Sequence, residues 1–455
     1  MIYNDGKVEK LKIAYIGGGS RGWAWMLMND LTKTEGFSGE VCLYDIDYEA
    51  AKTNEVIGKK FPTDKWSYKA TKTIGEALSG ADFVVVSILP GTFDEMEVDV
   101  HAPEKYGIYQ SVGDTAGPGG FMRSLRTVPM MREIARNVRK YCPKAWVINY
   151  TNPMAVCIGA LYREFPEIRA YGCCHEVFGT QKLITYALEE ILGISDIKRE
   201  KIRTTVVGVN HFTWITEANY QNINIFDVYA KFIDKFYESG YNQHGLGNWL
   251  NDFFNTGARV RMDLFKKYGY IAAAGDRHLA EFMDFEDYLI DSAKWTFGLT
   301  PVSWRKKQLA ERLERSARLY SGEETYKIIN TGEEGTIQIA ALLGLGDIVT
   351  NVNIPNKGQI SNLPMGAIVE TNAAFRCGSL EPVMAGAVPD SIYPLVSRAA
   401  KENEMALDAA FSLDREYAKA LFMKLNLLKG IKEGDRATLF DEMFEETKKY
   451  LADYK

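Results

Sequence analysis

The sequence predicts an α/β fold: a doubly wound parallel sheet, followed by a mixed α+β, helix-rich second part. Three observations carry that prediction. Short apolar runs alternate with segments of helical spacing through the first half, and the first run ends in a glycine-rich turn. The pattern then changes near Glu200, with no Pro- or Ser-rich linker between the halves. Strands separated by helices pair in parallel through right-handed crossovers.

The elements follow in order. Lys12 to Ile16 is a short strand closed by Gly17-Gly18-Gly19-Ser20-Arg21-Gly22, and Trp23 to Leu31 has helical character. Val41 to Tyr44 is a second strand, closed by Asp45. Phe83 to Ser87 lacks alternation, which marks a strand buried on both faces. Leu125, Val128, Met131, Ile134 and Val138 recur at helical spacing, Trp146 to Ile148 resumes strand, and Ala170 to Cys173 reads as another strand end. Past Glu200, Thr204 to Val207 is a strand, Leu309, Leu313, Ala317 and Tyr320 mark a helix, and Glu402 to Leu428 holds one or two more. The division falls at 1–198 and 199–455, with a shared interface expected.

Composition narrows the function classes. At 455 residues, 46% hydrophobic and 25% charged, the chain matches soluble globular proteins with a sizeable core. The net charge of −6, from 54 basic and 60 acidic residues, speaks against nucleic acid or a membrane surface as partner. The start, Met1-Ile2-Tyr3-Asn4, lacks the basic and apolar regions of a signal peptide, and no apolar run approaches the roughly 20 residues of a membrane helix. Six scattered cysteines are too few for a disulfide scaffold, so a reducing cytoplasm is expected.

Gly17-x-Gly19-x-x-Gly22 follows a strand, opens a helix, and has Asp45 at the tip of the next strand, as a Rossmann-like dinucleotide fingerprint requires. Gly17 permits the tight turn, Gly19 lets backbone approach a pyrophosphate, and Gly22 lets helix and strand pack closely. The helix N-terminus offers free N–H groups to the anion. Asp45 accepts from a ribose diol, which favours NAD over NADP. A ligand-free glycine turn is the alternative, and the strand–turn–helix–acid context weighs against it. The expected cofactor residues are Gly17, Gly19, Ser20, Arg21, Gly22, Asp45 and Ser87.

Four further segments carry polar chemistry. Thr151-Asn152-Pro153 resembles the segment beside the nicotinamide in lactate and malate dehydrogenases, although alone it is a plain turn. The glycine-dense stretch Tyr106 to Gly120 carries one acid, Asp114, which equally suits an Asx turn. Cys174-His175 and Asn210-His211 supply a thiolate and imidazoles at strand ends, suited to an open manganese, nickel, cobalt or iron site rather than closed structural zinc. For any one of them a packed core residue is the plainer alternative. Gly275-Asp276-Arg277-His278-x-x-Glu281 combines an acid, a guanidinium and an imidazole, and a helix start capped by Asp276 explains it nearly as well.

In combination these motifs resemble the NAD- and metal-dependent glycoside hydrolases of family 4, and Gly358-Gln359-Ile360-Ser361-Asn362-Leu363-Pro364 also resembles a family segment. Cys174-His175-Glu176-Val177 is similar to the form associated with the α-galacturonidases. The resemblance implies hydrolysis of α-D-galacturonides without the usual pair of carboxylates. NAD would oxidise sugar carbon 3, a divalent metal, manganese foremost, would assist elimination across carbons 1 and 2 as a Lewis acid, and water would add back. It implies Cys174 and His211 as metal ligands and Asp276 as the carbon 2 base. Asp114 would partner a substrate oxygen, Asn152 would position hydroxyls, and His175 and His278 would contact substrate. An Asp, where phospho-sugar members use a tyrosine, argues for a non-phosphorylated substrate. Arg277 is a candidate clamp for the uronate carboxylate.

The implied architecture joins an NAD-binding 1–198 to a substrate, metal and oligomerisation region 199–455, assembled as a homodimer or homotetramer in the cytoplasm. The alternatives are an α-glucuronidase, α-galactosidase or α-glucosidase of the same family and, from another class, an NAD-dependent 2-hydroxy acid dehydrogenase. The dehydrogenase needs a His–Asp pair and a substrate Arg at its own spacing, which are not evident, and has no use for a Cys-plus-His metal site.

Overall fold

The computed structural model describes residues 1–4, 6–242 and 256–455. A short β1 (Ile2–Asn4) folds back on β2 (Lys7–Ile16), which alternates at its start and is buried throughout its second half. Then come α1 (Trp23–Lys33), β3 (Phe37–Tyr44), α2 (Tyr48–Gly58), β4 (Trp66–Thr71), α3 (Ile74–Leu78), β5 (Phe83–Val86), α4 (Phe93–His101) and α5 (Gly117–Tyr141). The first half closes with β6 (Trp146–Asn149), α6 (Met154–Glu164), β7 (Arg169–Gly172) and α7 (Glu176–Leu192).

A hairpin of β8 (Arg203–Val209) and β9 (Phe212–Tyr220) follows, with β10 (Ile223–Asn224), α8 (Ile225–Phe236), α9 (Arg259–Tyr268), β11 (Ile271–Ala272), α10 (Asp276–Phe282), α11 (Phe285–Tyr288) and α12 (Val302–Ser321). The chain ends with α13 (Gly335–Leu342), β12 (Ile348–Pro355), β13 (Ile368–Arg376), β14 (Ser379–Pro382), α14 (Tyr393–Ser412), α15 (Arg415–Phe422) and α16 (Glu433–Thr447).

The main sheet runs β14-β13-β12-β7-β6-β5-β2-β3-β4. From β7 to β4 all pairings are parallel, whereas β12, β13 and β14 add an antiparallel edge from the second half of the chain. One face is packed by α5, α6 and the C-terminal helices, with Val128, Leu161, Leu407 and Phe440 in its core. The other is covered by α1, α2 and α13, around Trp25, Ile57 and Ile339. Helices on both faces exclude water from both, so β5 reads Phe-Val-Val-Val without alternation. A second sheet, β10-β9-β11 with β8 on β9, stands beside the first. No helix among the described residues is long and apolar enough to cross a membrane.

Two local differences from the sequence reading have physical reasons. The glycine-dense stretch does not stay irregular to Gly120: α5 begins at Gly117, since Pro118 in a first turn needs no N–H partner. The Leu309, Leu313 and Tyr320 stripe of α12 is 37–50% exposed. Its sides turn inward elsewhere, with Val302, Ser316 and Leu319 buried. The helix lies across the glycine turn, where a Cβ on Gly22 would come 3.3 Å from Nη1 of Arg312.

Candidate active site

The glycine turn is built as its spacing requires. Gly17 sits at φ +93°, and a Cβ there would fall 2.0 Å from the carbonyl oxygen of Ser87. A Cβ on Gly19 would meet Ala50 at 2.7 Å, and its N–H donates to Oδ2 of Asp45 at 2.8 Å. The N–H of Asp47 donates to Oδ1 of the same carboxylate at 3.0 Å, so the tip of β3 is fixed against the turn. Gly22 opens α1 with no side-chain cap, leaving first-turn N–H groups for an anion. Ser87 hydrogen-bonds the phenol of Tyr15 at the end of β5. These features fit a dinucleotide pyrophosphate and a ribose diol.

The sheet's carboxyl edge continues into a polar cluster. The N–H of Ile88 donates to Thr151 at 3.0 Å, and Nε of Arg123, on α5, donates to the carbonyl of Asn152 at 3.0 Å. The Asn152–Pro153 peptide is cis. Oδ1 of Asn152 is buried with no hydrogen-bond partner among the described residues, an acceptor left over for a hydroxyl donor.

Asp114, His211 and His278 each present a donor atom, all within 4.8 Å of one another. They come from the loop before α5, the β8–β9 turn and α10. His211 has φ +62°, a left-handed conformation that costs a non-glycine residue on the order of 1 kcal/mol. Thr115 aligns it: the hydroxyl donates to Oδ1 of Asp114 at 2.7 Å and lies 3.0 Å from Nδ1 of His211. With its proton on Asp114, Thr115 accepts from Nδ1–H, and Nε2 becomes the lone-pair nitrogen, the pattern of an oriented metal ligand. The rings of His211 and His278 lie 3.8 Å apart, and Nδ1 of His278 is buried with no hydrogen-bond partner among the described residues.

Cys174 adjoins this cluster through Asn210, which hydrogen-bonds its thiol and precedes His211. Burial, then the nearby Glu370 and Glu176 carboxyls, push the Cys174 thiol well up. A thiolate there calls for a cation. The donor atoms brought within 4.8 Å of one another are those of Asp114, His211 and His278, a set that fits a divalent metal, and Cys174 lies outside that group. Glu176 accepts from the N–H of Gly275 at 2.6 Å, and its other oxygen is 3.9 Å from Nε2 of His278. Burial works against its charge, but His278 and His211 hold its carboxyl down at about 2. Asp114 is held well below the usual carboxylate range against its own burial, by His278, Arg123, His211 and Arg305 in that order. Burial favours the neutral imidazole at His211, as does His278, while Glu176 and Asp114 favour its charged form.

The segment Asp276 to Glu281 is placed otherwise than its expected roles require. Asp276 is fully buried, with Oδ2 accepting from Val260 N and Oδ1 from Arg261 N and Nε, each at 3.3 Å. α9 has no cap of its own, its N-cap being Ala258, and Asp276 supplies one from the neighbouring helix. The carboxylate of Asp276 thus accepts from three donors, and it ties the start of α10 to the start of α9. Nη2 of Arg277 donates to the carbonyl of Ser111 at 2.7 Å and to Thr300 Oγ1. Oε1 of Glu281 accepts from Val112 N at 2.7 Å and Gly113 N at 2.9 Å. Arg277 and Glu281 thus hold the loop that delivers Asp114, and the clamp expected of Arg277 has that Nη2 committed elsewhere.

His175 turns toward the glycine turn, its ring 6.4 Å from Trp23 and its Nδ1 3.1 Å from Glu333. Sequence reasoning missed Thr115 as a relay, Arg123 and Arg305 as cations facing Asp114, and Glu370. The signal for Glu370 was present: one acid within Ile368-Val369-Glu370-Thr371, an otherwise strand-like run. Arg123 and Arg305 carried none, being ordinary helical arginines until the fold brings both beside Asp114.

The whole chain is similar to known proteins. An alpha-galacturonidase of Thermoanaerobacterium saccharolyticum is 56% identical, the match spanning 100% of this chain and 99% of that protein. The crystal structure of lplD from Bacillus subtilis superposes with a TM-score of 0.93 at 50% identity, covering 96% of this chain and 100% of that one. A 6-phospho-alpha-glucosidase from gut microorganisms, solved in complex with NAD and Mn2+, shares the fold at 20% identity, with a TM-score of 0.79 over 97% of this chain and 99% of its own. Residues 12–190 match the family 4 glycosyl hydrolases and residues 206–426 the C-terminal domain of the same family. The chain belongs to the family 4 glycosyl hydrolases.

Proposed function

We propose that this enzyme hydrolyses α-D-galacturonides with bound NAD and a divalent metal, manganese foremost. The observation that carries the reading is the convergence of Asp114, His211 and His278 beside Cys174, next to a dinucleotide turn. The substrate rests on the alpha-galacturonidase relative at 56% identity over the full chain. When bound, NAD supplies a hydride acceptor at sugar carbon 3 and the metal a Lewis acid, which together make the carbon 2 proton acidic.

The chain's residues then divide the work. Gly17, Gly19, Ser20, Arg21 and Gly22 hold the pyrophosphate, Asp45 the ribose diol, and Ser87 closes the turn beneath. Cys174 and His211 hold the metal. Asp114 faces a substrate oxygen, the free Oδ1 of Asn152 accepts from a hydroxyl, and His175 borders the sugar from the nucleotide side. His278 is placed for the base role expected of Asp276, its ring against that of His211 and its Nδ1 buried without a hydrogen-bond partner among the described residues. Arg123 and Arg305, facing Asp114, supply positive charge for the uronate carboxylate in place of Arg277.

Residues 1–198 form the NAD-binding part and 199–455 the substrate, metal and oligomer-forming part. The protein works as a homodimer or homotetramer in the cytoplasm, a compartment consistent with cysteines that form no disulfide among the described residues.

A panel of nitrophenyl α-glycosides, assayed with NAD, Mn2+ and a thiol reductant, tests the reading. Release from the α-galacturonide is expected to exceed release from the neutral α-galactoside by at least tenfold, because a charge-assisted hydrogen bond to the uronate carboxylate is worth about 1.5–3 kcal/mol. Phosphorylated sugars are expected to be poor substrates and net NADH absent. Equal turnover of the neutral galactoside would remove the uronide assignment. Accumulation of NADH with a hydroxy acid would favour the dehydrogenase.

A further inference from the structure

Glu370 is fully buried in β13, within the main sheet, and no catalytic step calls on it. Its surroundings are nearly all amide. Oε1 accepts from Nδ2 of Asn351 at 2.7 Å and Oε2 from Nδ2 of Asn210 at 3.2 Å. Asn353, its cross-strand partner on β12, hydrogen-bonds the same carboxyl. Asn351 and Asn353 are two residues apart on one strand, so both face the same way. Asn351 Nδ2 also donates to the carbonyl of Cys174 at 3.3 Å, and Asn353 pairs with Gly172 at the end of β7. One carboxyl therefore ties the β12–β13 edge to the strand that delivers Cys174 and to the hairpin turn that delivers His211.

Nδ2 of Asn351 faces one carboxyl oxygen and Nδ2 of Asn210 the other, so both amides turn their nitrogens inward. For Asn210 the consequence falls on the other end of the amide. Its Oδ1 is buried with no hydrogen-bond partner among the described residues, on the residue next to His211. A buried acceptor left unmatched beside a ligand cluster is an acceptor held for a donor that arrives with the ligand.

We propose that Glu370 is a positioning residue. It fixes the amide of Asn210 with Oδ1 outward, where that oxygen accepts from a hydroxyl of the galacturonic acid ring. This rests on the function proposed above. A leucine or valine would fill the same core at lower desolvation cost, so packing alone gives no reason for an acid with three amide donors.

Glu370→Gln tests it. The substitution keeps the shape but replaces one acceptor with a donor, so Asn210 loses its bond or turns its amide over. The probes are galacturonate, titrated calorimetrically into enzyme holding NAD and Mn2+, and the KM for nitrophenyl α-galacturonide. Galacturonate affinity is expected to fall about tenfold, with KM rising alike and kcat changing less, since one neutral hydrogen bond is at stake. Asn210→Ala is expected to do the same, and adding Glu370→Gln to it to cost nothing further, the signature of two residues acting as one unit. Additive losses in the double variant, or unchanged galacturonate affinity in Glu370→Gln, would overturn the inference. Should Glu370→Gln fold poorly, Asn210→Ala alone still decides, because unchanged affinity there removes the acceptor that Glu370 is said to aim. Failure of the wild-type enzyme to bind galacturonate would instead count against the proposed function.

Discussion

Cys174→Ser is expected to empty the metal site and to lower galacturonide hydrolysis by well over a hundredfold, while NAD binding and the fold persist. Substitutions one layer outside a metal's ligands already cost about 10–100-fold, and a ligand itself is worth more. Serine keeps the volume but not the chemistry, since its hydroxyl stays protonated where a thiolate ionises and binds a borderline metal. Cys174 lies in the negative surroundings of Glu370 and Glu176, which oppose the thiolate unless a cation is present. Metal content after dialysis, NAD binding by fluorescence and turnover with added Mn2+ read the three effects separately. His211→Gln is expected to parallel it, because the bond from Thr115 to Nδ1 leaves Nε2 of His211 as the ligand nitrogen. A Cys174→Ser enzyme with full metal and normal turnover would take the thiol out of the site.

His278→Gln is expected to retain both NAD and Mn2+ yet lose hydrolysis by about 10²–10⁴-fold, the usual worth of a positioned general base. The contrast that gives this meaning is Asp276→Asn. Asparagine keeps an acceptor for the N-terminus of α9 but gives up the charge facing Arg261, so the expected loss is in melting temperature, with turnover per folded molecule far less affected. If Asp276→Asn abolishes turnover in a protein of normal stability while His278→Gln spares it, the two roles are exchanged. If His278→Gln loses the metal, His278 is a ligand alongside His211.

Much of this was legible in the chain, and the failures are instructive. The parallel sheet and the dinucleotide turn were readable because they depend on local grammar: glycines that only a strand–turn–helix junction requires, and strands apolar throughout because both faces are covered. The antiparallel edge, β12 to β14, was not read, since a strand joining a sheet formed about two hundred residues earlier leaves no local mark of its partner. The cluster's members were singled out individually, yet spacing could not assign their tasks. Asp276 and His278 are two residues apart at the start of one helix and so point in different directions. One turns into α9 and the other toward His211. Only the packing of α9 against α10 decides which is which. Arg277 is a similar case: a guanidinium beside a proposed base reads as a clamp, and spacing gave no sign that its Nη2 bonds the loop backbone at Ser111.

The measurement that bears most directly on the central claim is the fate of the carbon 2 proton. Hydrolysis of an α-galacturonide in heavy water, followed by proton NMR, is expected to yield galacturonate carrying deuterium at carbon 2 with no net change in NADH. Deuterium enters there only if the original proton has left during turnover. Product released at full rate with its carbon 2 proton intact would contradict the account and return the enzyme to displacement by two carboxylates.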